Sequence, residues 1–391
     1  MKVLFINSLE PNQGDLYFFG LKRLLGDKNV TEYPYKPLYH CKIKDGKIIA
    51  EINGKTVVEE IVNTGTVRYT VWRKSRFKRK YRKIEYKIPK IYCSSYKVQE
   101  TNDLLNYDLV IVSFLRNSTP LVIENMIFSK KLSLPVVLID GEDDFYIRKA
   151  YVTPQVVKYL KREILTKIFT NRLSFYGLFN YSNYKRLLTE SFLGSLTYPS
   201  LSKPIAIAYG NFFKKMKPLN LTTSDYGFTP DYNRKDYDLS FIMGTSNSLR
   251  SFLYKHLLRI SKKYRLKSFI HLSSSGQEVI PWNMYINIVA RSKISISLPG
   301  AGFDTYRFWE IPYHGAALMS LEPYIKITNN FSDGENAIYF RSVQELEEKL
   351  TYYLKSDRWE QIAKNGREHF MKYHTPVRRA QQIISILEWI S

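Results

Sequence analysis

The sequence of Ser297–Ser320, SLPGAGFDTYRFWEIPYHGAALMS, decides the fold of the second half of the chain. It begins at the end of an apolar strand pattern and continues into a turn, Pro299–Gly302, that holds two glycines. Asp304 or Thr305 can cap the helix that follows, and Gly315 can end it. The stretch therefore predicts a buried strand, a turn, a short helix and another buried strand.

The turn and the helix suit an anionic ligand. Gly300, Ala301 and Gly302 carry little or no side chain, so a ligand can approach the backbone N–H groups and the positive end of the helix dipole. Glu310 follows within the helix, and its carboxylate can accept two hydrogen bonds from a vicinal diol. Together these groups indicate a nucleotide-sugar site, whereas the simpler interpretation is an ordinary βαβ unit with a solvated acid. The predicted site also includes three neighbours of the turn, Phe303, Asp304 and Arg307.

The length and composition of the chain favour two globular domains. A chain of 391 residues with 44% hydrophobic content is larger than one hydrophobic core usually fills. No run of 18 uncharged apolar residues occurs, and we expect no secretory signal because the first residues pass directly into a strand pattern. Cys41 and Cys93 have no metal-ligand spacing, so we expect no metal site and a cytoplasmic location.

The charge of the chain points to an acidic partner. Its 59 Lys and Arg residues exceed 36 Asp and Glu residues, which gives a net charge of +23. Such an excess attracts nucleotide diphosphates, anionic lipid headgroups or nucleic acid. The segment Arg73–Lys90 holds ten of these basic residues against one acid, interleaved with aromatics. It is interpreted as a solvated loop, a peripheral contact with the cytoplasmic face of a membrane, or a nucleic-acid contact.

The first half of the chain has the pattern of an open α/β sheet. Lys2–Asn7 is an apolar strand, and Gly14 lies in the turn to the next helix, where such sheets meet ligands or where the chain simply turns. Asp108–Phe114 and Pro135–Asp140 are near-continuous apolar strands, as parallel strands covered on both faces are. Between them and the first strands, residues from about 40 to 100 form a β-rich basic insertion.

Four acids follow the last of these strands, at Asp140 and Glu142–Asp144. The carboxyl end of a parallel strand faces the crevice of the sheet, so these acids can act as a general base or bind sugar hydroxyls. A metal site or a solvated loop is the alternative. Asp143 or Asp144 is the predicted catalytic base.

A second series of strands and helices follows a segment without periodicity near Ser195–Asp236. The alternation in both halves predicts two doubly wound sheets that face each other across a cleft. We expect a first domain over residues 1–200 and a second over 201–374.

Three more residues of the second domain are predicted to contact the ligand. Arg250 follows the glycine that ends the first strand of this domain by six residues, where its planar fork can pair with a diphosphate. Asp333 and Gly334 lie in a polar turn that can close over the donor. A surface charge and an ordinary turn are the alternatives. Among the six single histidines, His314 is interpreted as a helix-end residue and His374 as a contact between domains.

These motifs, in this order, resemble the glycosyltransferase group-1 superfamily, which has the two-domain GT-B fold, and specifically its spore-maturation-protein-like branch. The matching stretches of the second half are Tyr237–Arg250, Gly302–Ser320, Phe331–Phe340 and Glu345–Ala380. The first half fits through GDLYFFGLKRLLG and VVLIDGEDD, so the resemblance covers most of the chain outside the insertion.

The resemblance implies roles for individual residues. Glu310 resembles the second glutamate of the family's Glu-x7-Glu pattern, which binds the ribose of the donor. Gly302 stands where the family has its first glutamate, which contacts the donor sugar in retaining members. Arg250 and Gly14 resemble the family's residues at the donor phosphates. The resemblance also implies metal-independent chemistry, and a last helix, at about 375–391, that packs back on the first domain.

The predicted function is the transfer of a sugar, hexosyltransferase-like, from a nucleotide diphosphate sugar such as a UDP-sugar to an acceptor hydroxyl. The acceptor is expected to be a glycan, a lipid-linked sugar or a protein, and no cofactor beyond the donor is expected. One alternative is a nucleic-acid-binding or DNA-modifying transferase that uses residues 73–90. Another is an inactive glycosyltransferase-like binding protein, because the first glutamate is missing.

Overall fold

The computed structural model describes most of both predicted sheets and of the helices of the second domain. The described residues are 1–7, 13–33, 42–44, 47–52, 55–60, 66–74, 81–89, 106–114, 134–143, 155–164, 216–223, 227–273 and 280–387, with the backbone alone between 42 and 89. Within these ranges, no helix is long and apolar enough to cross a bilayer.

The first domain is built on a six-stranded parallel sheet with a β-rich insertion. Its elements are β1 (Val3–Ile6), α1 (Gln13–Leu25), β2 (Val30–Tyr33), β3 (Lys42–Lys44), β4 (Lys47–Ile52), β5 (Lys55–Glu60), β6 (Thr66–Lys74), β7 (Tyr81–Pro89), β8 (Leu109–Phe114), β9 (Val136–Asp140), β10 (Val156–Lys161) and β11 (Met216–Pro218). The parallel sheet has the order β11-β10-β9-β8-β1-β2. Strands β3–β5 and β6–β7 form two separate antiparallel sheets.

The second domain is a five-stranded parallel sheet with helices between its strands. Its elements are β12 (Tyr237–Gly244), α2 (Ser248–Tyr264), β13 (Ser268–Ser273), α3 (Trp282–Ala290), β14 (Ser292–Ser297), α4 (Tyr306–Tyr313), β15 (Ala317–Leu321), β16 (Ile338–Phe340), α5 (Val343–Lys355), α6 (Trp359–Tyr373) and α7 (Pro376–Ser385). The strand order is β13-β12-β14-β15-β16. The predicted fold class, two α/β domains with doubly wound parallel sheets, is confirmed.

The apolar strands form the centre of each domain. All four residues of β1 and all five of β9 and β15 are buried, as expected for parallel strands with both faces covered. The first sheet also runs past residue 200, the boundary that the loss of periodicity suggested. Strand β11 pairs with β10, so the edge of the first domain lies beyond Met216.

Helix α7 follows the second domain in the chain but packs on the first. Ala380 and Ile383 are fully buried among the apolar side chains of α1 and the first sheet. The two helices approach closely at Gly20, where a Cβ atom would lie 2.2 Å from the carbonyl oxygen of Pro376. A glycine is therefore needed at this crossing because a backbone atom, which cannot turn aside as a side chain can, occupies the space.

Gly20→Ala is expected to lower the free energy of unfolding by about 1–3 kcal/mol, the usual cost of overpacking. The added methyl group must push the backbone of α7 away from α1. Chemical denaturation of the variant and of Gly244→Ala, which has no atom closer than 3.7 Å to the added Cβ, measures the difference. Equal midpoints for the two variants would contradict the close crossing.

Candidate functional site

The site lies at the carboxyl edge of the second sheet, between β12 and β14. The chain leaves β12 toward β13 on one side and later returns to β14 on the other side. The loops that follow β12 and β14 therefore diverge and leave a crevice, which is where open α/β sheets bind ligands. The predicted turn, Pro299–Gly302, is one wall of this crevice, because it follows β14 directly.

Arg250 ties the two loops together. It is 4% exposed, and its Nε donates to the carbonyl oxygen of Pro299 at 2.8 Å. Nη2 donates to the carbonyl of Leu298, and Nη1 donates to the carbonyl of Gly244 and the hydroxyl of Ser246. These bonds use four of the five N–H groups of the guanidinium. Arg250, which was predicted to bind a diphosphate, therefore has a structural role in shaping the crevice. One N–H of its Nη2 remains for a ligand.

Three backbone N–H groups in and just after the glycine turn have protein acceptors. Gly300 donates to the carbonyl of Gly302 at 2.7 Å within the turn. Phe303 and Asp304 donate to the two carboxylate oxygens of Glu163, a residue of the first domain, at 3.2 and 2.7 Å. The two residues after the turn therefore bind an anionic group, and this group belongs to the chain itself.

The side chains of Phe303 and Asp304 face the interior of the second domain rather than the crevice. The carboxylate of Asp304 accepts hydrogen bonds from the backbone N–H of Leu221 at 2.6 Å and from Nε1 of Trp309 at 2.7 Å. Burial raises the pKa of this carboxyl group. Phe303 packs edge-on against its aromatic neighbours. Thr305 is the residue before α4, and its side chain makes no cap hydrogen bond.

Arg307 and Glu310 form a group with Tyr285 on the crevice side of α4. The two residues are three positions apart, so they share a face of the helix. The guanidinium of Arg307 lies 5.6 Å from the centre of the Tyr285 ring, whose hydroxyl donates to Oε2 of Glu310 at 2.9 Å. Burial raises the pKa of Glu310, while the charge of Arg307 and the bond from Tyr285 lower it.

This group has unused hydrogen-bonding capacity. Nε of Arg307 is buried without a hydrogen-bond partner, and Arg307 joins no ion pair in the part of the chain that the structure describes. Oε1 of Glu310 accepts no hydrogen bond from any described residue. The charge of Arg307 also lowers the pKa of Arg250, which burial brings down to about 9. Arg250 is a buried cation with a second cation, Arg307, beside it, and this arrangement favours an anionic ligand. Oε1 of Glu310 favours a hydroxyl donor next to that anion.

The first domain contributes the opposite wall. Asp143 forms an ion pair with Arg162, and its Oδ1 lies 3.1 Å from the place that a Cβ on Gly302 would occupy. Asp143 therefore faces the glycine turn, while Asp144 lies outside the described residues. Gly14 is buried at the start of α1, beside Gln13, whose side-chain amide has no hydrogen-bond partner among the described residues.

Asp333 and Gly334 are not brought into this group. The carboxylate of Asp333 accepts from the backbone N–H of Tyr339 at 2.8 Å and from Lys349 at 2.7 Å. Gly334 has φ of +78°, a conformation that glycine adopts more readily than other residues. The polar turn therefore secures β16 against α5, and its carboxylate is already used there.

The two histidines that the sequence singled out lie in the interior. His314 is the residue after α4, and its Nδ1 lies 2.7 Å from the carbonyl oxygen of Glu310. His374 packs on Trp309 with 4.6 Å between ring centres, and its carbonyl accepts a hydrogen bond from Thr222. The contacts of His374 with Trp309 and Thr222 therefore hold in place the segment that connects the second domain to α7.

His314 is expected to make the fold sensitive to acid. Burial lowers its pKa from 6.5 to about 4, so the unfolded chain binds more protons than the folded chain between these values. Stability is therefore lost as the pH falls from 6.5 toward 4, by up to about 3 kcal/mol. The measurement is the free energy of unfolding of the wild type and of His314→Asn at pH 7 and pH 4.5. Parallel pH dependences would contradict this role.

The chain is similar to known glycosyltransferases in part of its sequence and in its fold. Residues 254–385 match the family model described as glycosyl transferase-like. No curated protein sequence matches the chain. The crystal structure of the GtfA/B complex matches with a TM-score of 0.50 and 8% identity, covering 99% of each chain. This likeness shows the fold, and the chain therefore has the two-domain GT-B architecture.

Two other solved structures match along the whole chain with lower scores. The pneumococcal O-GlcNAc transferase GtfA, in complex with UDP and GlcNAc, has a TM-score of 0.47 and 9% identity over 100% of this chain and 99% of that one. Sucrose-phosphate synthase from Thermosynechococcus elongatus has a TM-score of 0.46 and 10% identity over the same shares.

Proposed function

We propose that the chain is a glycosyltransferase that moves a sugar from a nucleotide diphosphate sugar, with UDP as the expected nucleotide, to an acceptor hydroxyl. The observation that carries the proposal is the pair formed by Arg307 and Glu310 on one face of α4. Among the described residues, Nε of Arg307 has no hydrogen-bond partner, and Oε1 of Glu310 accepts no hydrogen bond. The match to a glycosyl transferase-like domain supports the same conclusion.

The donor is held by its phosphates and by its ribose. The diphosphate accepts hydrogen bonds from Arg307 and from the remaining N–H of Arg250, which relieves the repulsion between the two guanidinium groups. The ribose diol donates to Oε1 of Glu310, while Tyr285 holds the other carboxylate oxygen in place. No metal ion is needed for this arrangement, because the two arginines meet the charge of the diphosphate.

The reaction takes place in the cleft between the domains. The acceptor oxygen attacks the anomeric carbon, the bond from that carbon to the phosphate oxygen breaks, and Arg307 and Arg250 stabilise the leaving diphosphate. The proton of the acceptor hydroxyl goes to a carboxylate of the first domain. Asp143 is proposed for this role because it faces the glycine turn, and Asp144 is the other candidate.

The acceptor belongs to a surface glycan, a glycolipid or a glycoprotein, and the basic segment places the enzyme at an anionic membrane surface. Residues 73 and 74 end β6, and residues 81–89 form β7, while residues 75–80 and 90 lie outside the described residues. The antiparallel register sets Arg73 opposite Arg82. Co-sedimentation with anionic vesicles supports the membrane contact, and salt-sensitive binding to duplex or single-stranded DNA supports a nucleic-acid partner instead.

A screen of the purified protein against UDP-, GDP- and dTDP-sugars tests the proposed activity. At 100 times its dissociation constant, a donor is expected to raise the free energy of unfolding by about 2.7 kcal/mol and to be hydrolysed slowly, with release of the nucleotide. Binding without any hydrolysis or transfer would support the inactive binding protein. No binding of any nucleotide sugar would overturn the proposal.

A further inference from the structure

Glu163 makes a contact between the two walls of the cleft that no pattern in the sequence marks. Glu163 follows β10 in the first domain and is fully buried. Its Oε1 accepts a hydrogen bond from the N–H of Asp304 at 2.7 Å, and Oε2 accepts from the N–H of Phe303 at 3.2 Å. One carboxylate therefore joins the two domains and binds the N–H groups of Phe303 and Asp304, which precede α4 and its N-cap residue Thr305.

Gly302 provides the space for this carboxylate. A Cβ atom at this position would lie 2.5 Å from Oε1 and 2.9 Å from Cδ of Glu163. Gly302 is not among the glycines with positive φ, so an alanine could adopt its backbone conformation. A glycine is needed at this position because the carboxylate of Glu163 occupies the space of a Cβ atom. Glu163 and Gly302 are therefore sterically complementary across the domain boundary.

Among the described residues, the ion-pair partner of the Glu163 carboxylate is the guanidinium of Arg162. Nε of Arg162 is 4.0 Å away, and the other end of that guanidinium pairs with Asp143. Burial raises the pKa of Glu163, while Arg162 and the two backbone N–H groups lower it. The N–H groups of Phe303 and Asp304 thus lie closer to the carboxylate than the guanidinium of Arg162 does. The negative charge of Glu163 is therefore stabilised only while these two residues stay in place beside it.

We propose that Glu163 is a positioning residue for the transfer reaction: it draws the first domain onto the start of α4 and holds Arg307 and Glu310 in the closed cleft. Its importance for the reaction rests on the proposed function, but its contact with the turn does not. Neighbouring bonds strengthen the same closure, since the N–H of Lys326 donates to the carbonyl of Ile164 at 2.7 Å. The donor ligands all belong to the second domain, so Glu163 acts on closure rather than on donor binding.

Amide hydrogen exchange tests the contact independently of any activity. In Glu163→Ala, the N–H groups of Phe303 and Asp304 are expected to exchange about tenfold faster or more, as the loss of a hydrogen bond to a charged group predicts. Glu163→Gln keeps one acceptor oxygen and should lie between the wild type and the alanine variant. Asp108→Asn, which changes an exposed acid of the first domain, is the control. Unchanged exchange in both variants at residue 163 would overturn the proposal.

A double-mutant cycle tests the pairing with Gly302. Gly302→Ala is expected to displace the carboxylate, with the same loss of exchange protection as Glu163→Ala and a fall in kcat of about tenfold. Adding Gly302→Ala to Glu163→Ala should change little, because the clashing oxygen is gone. The affinity for UDP should stay within about twofold in all variants.

Additive losses in the cycle, or a loss of UDP affinity with kcat unchanged, would contradict the positioning role. If the wild type transfers no sugar, the proposed function fails, while the exchange measurements still decide whether Glu163 closes the domains. The two failures are therefore distinguishable.

Discussion

Arg307→Ala is expected to weaken the binding of UDP by about 1.5–3 kcal/mol, which is a factor of roughly ten to a hundred. Nε of Arg307 is buried without a hydrogen-bond partner among the described residues, so a diphosphate gains a charge-assisted hydrogen bond without displacing any of their acceptors. Removal of the side chain also leaves Arg250 as the remaining guanidinium at the site, with one N–H available. Titration calorimetry with UDP and UMP measures the effect, which should be smaller for UMP because it has one phosphate fewer.

Arg341→Ala is the matched control for this measurement. Arg341 is an arginine of the same domain, but its side chain is 61% exposed and pairs with Glu345 on the surface. Its removal should leave the affinity for UDP unchanged. Arg307→Lys keeps the charge and loses the planar fork, so an intermediate affinity is expected. An unchanged affinity for UDP in Arg307→Ala would show that the diphosphate does not bind at α4.

Glu310→Gln is expected to abolish the preference for a ribose over a 2′-deoxyribose. In the wild type, Oε1 of Glu310 is open to a diol, so UDP should bind about tenfold or more tightly than 2′-deoxy-UDP. Glutamine can keep an oxygen toward the hydroxyl of Tyr285 and then presents an NH₂ group, a donor, to the ribose hydroxyls. The variant should therefore bind both nucleotides with the same weak affinity.

The fold of Glu310→Gln should be intact, because the contact with Tyr285 is retained. Equal thermal stability of the variant and the wild type without nucleotide checks this point. A preference for UDP that persists in Glu310→Gln would show that the ribose is recognised elsewhere. A loss of stability comparable with the loss of affinity would show that the carboxylate serves packing rather than binding.

The sequence predicted the parts of the site that depend on neighbours along the chain. The strand, the glycine turn and α4 follow from periodicity and turn residues. The two parallel sheets followed in the same way from alternating apolar strands and helices. These patterns are local, so they can be recognised without knowing which distant segments meet.

The remaining features depend on contacts between distant segments. Glu163 lies about 140 residues before the turn that it binds, and no local pattern marks it. Asp304 has the sequence position of a helix N-cap or of a ligand-binding residue, but its carboxylate accepts a hydrogen bond from the N–H of Leu221 instead. Arg250 has the position of a diphosphate ligand, but backbone carbonyl oxygens, which a sequence pattern does not display, take up most of its N–H groups.

The most direct test of the central claim is a crystal structure of the chain with bound UDP. The expected result is a phosphate oxygen within hydrogen-bond distance of Nε of Arg307 and a ribose hydroxyl on Oε1 of Glu310. A nucleotide bound outside the crevice between β12 and β14, or one whose ribose and phosphates contact neither residue, would contradict the proposed donor site.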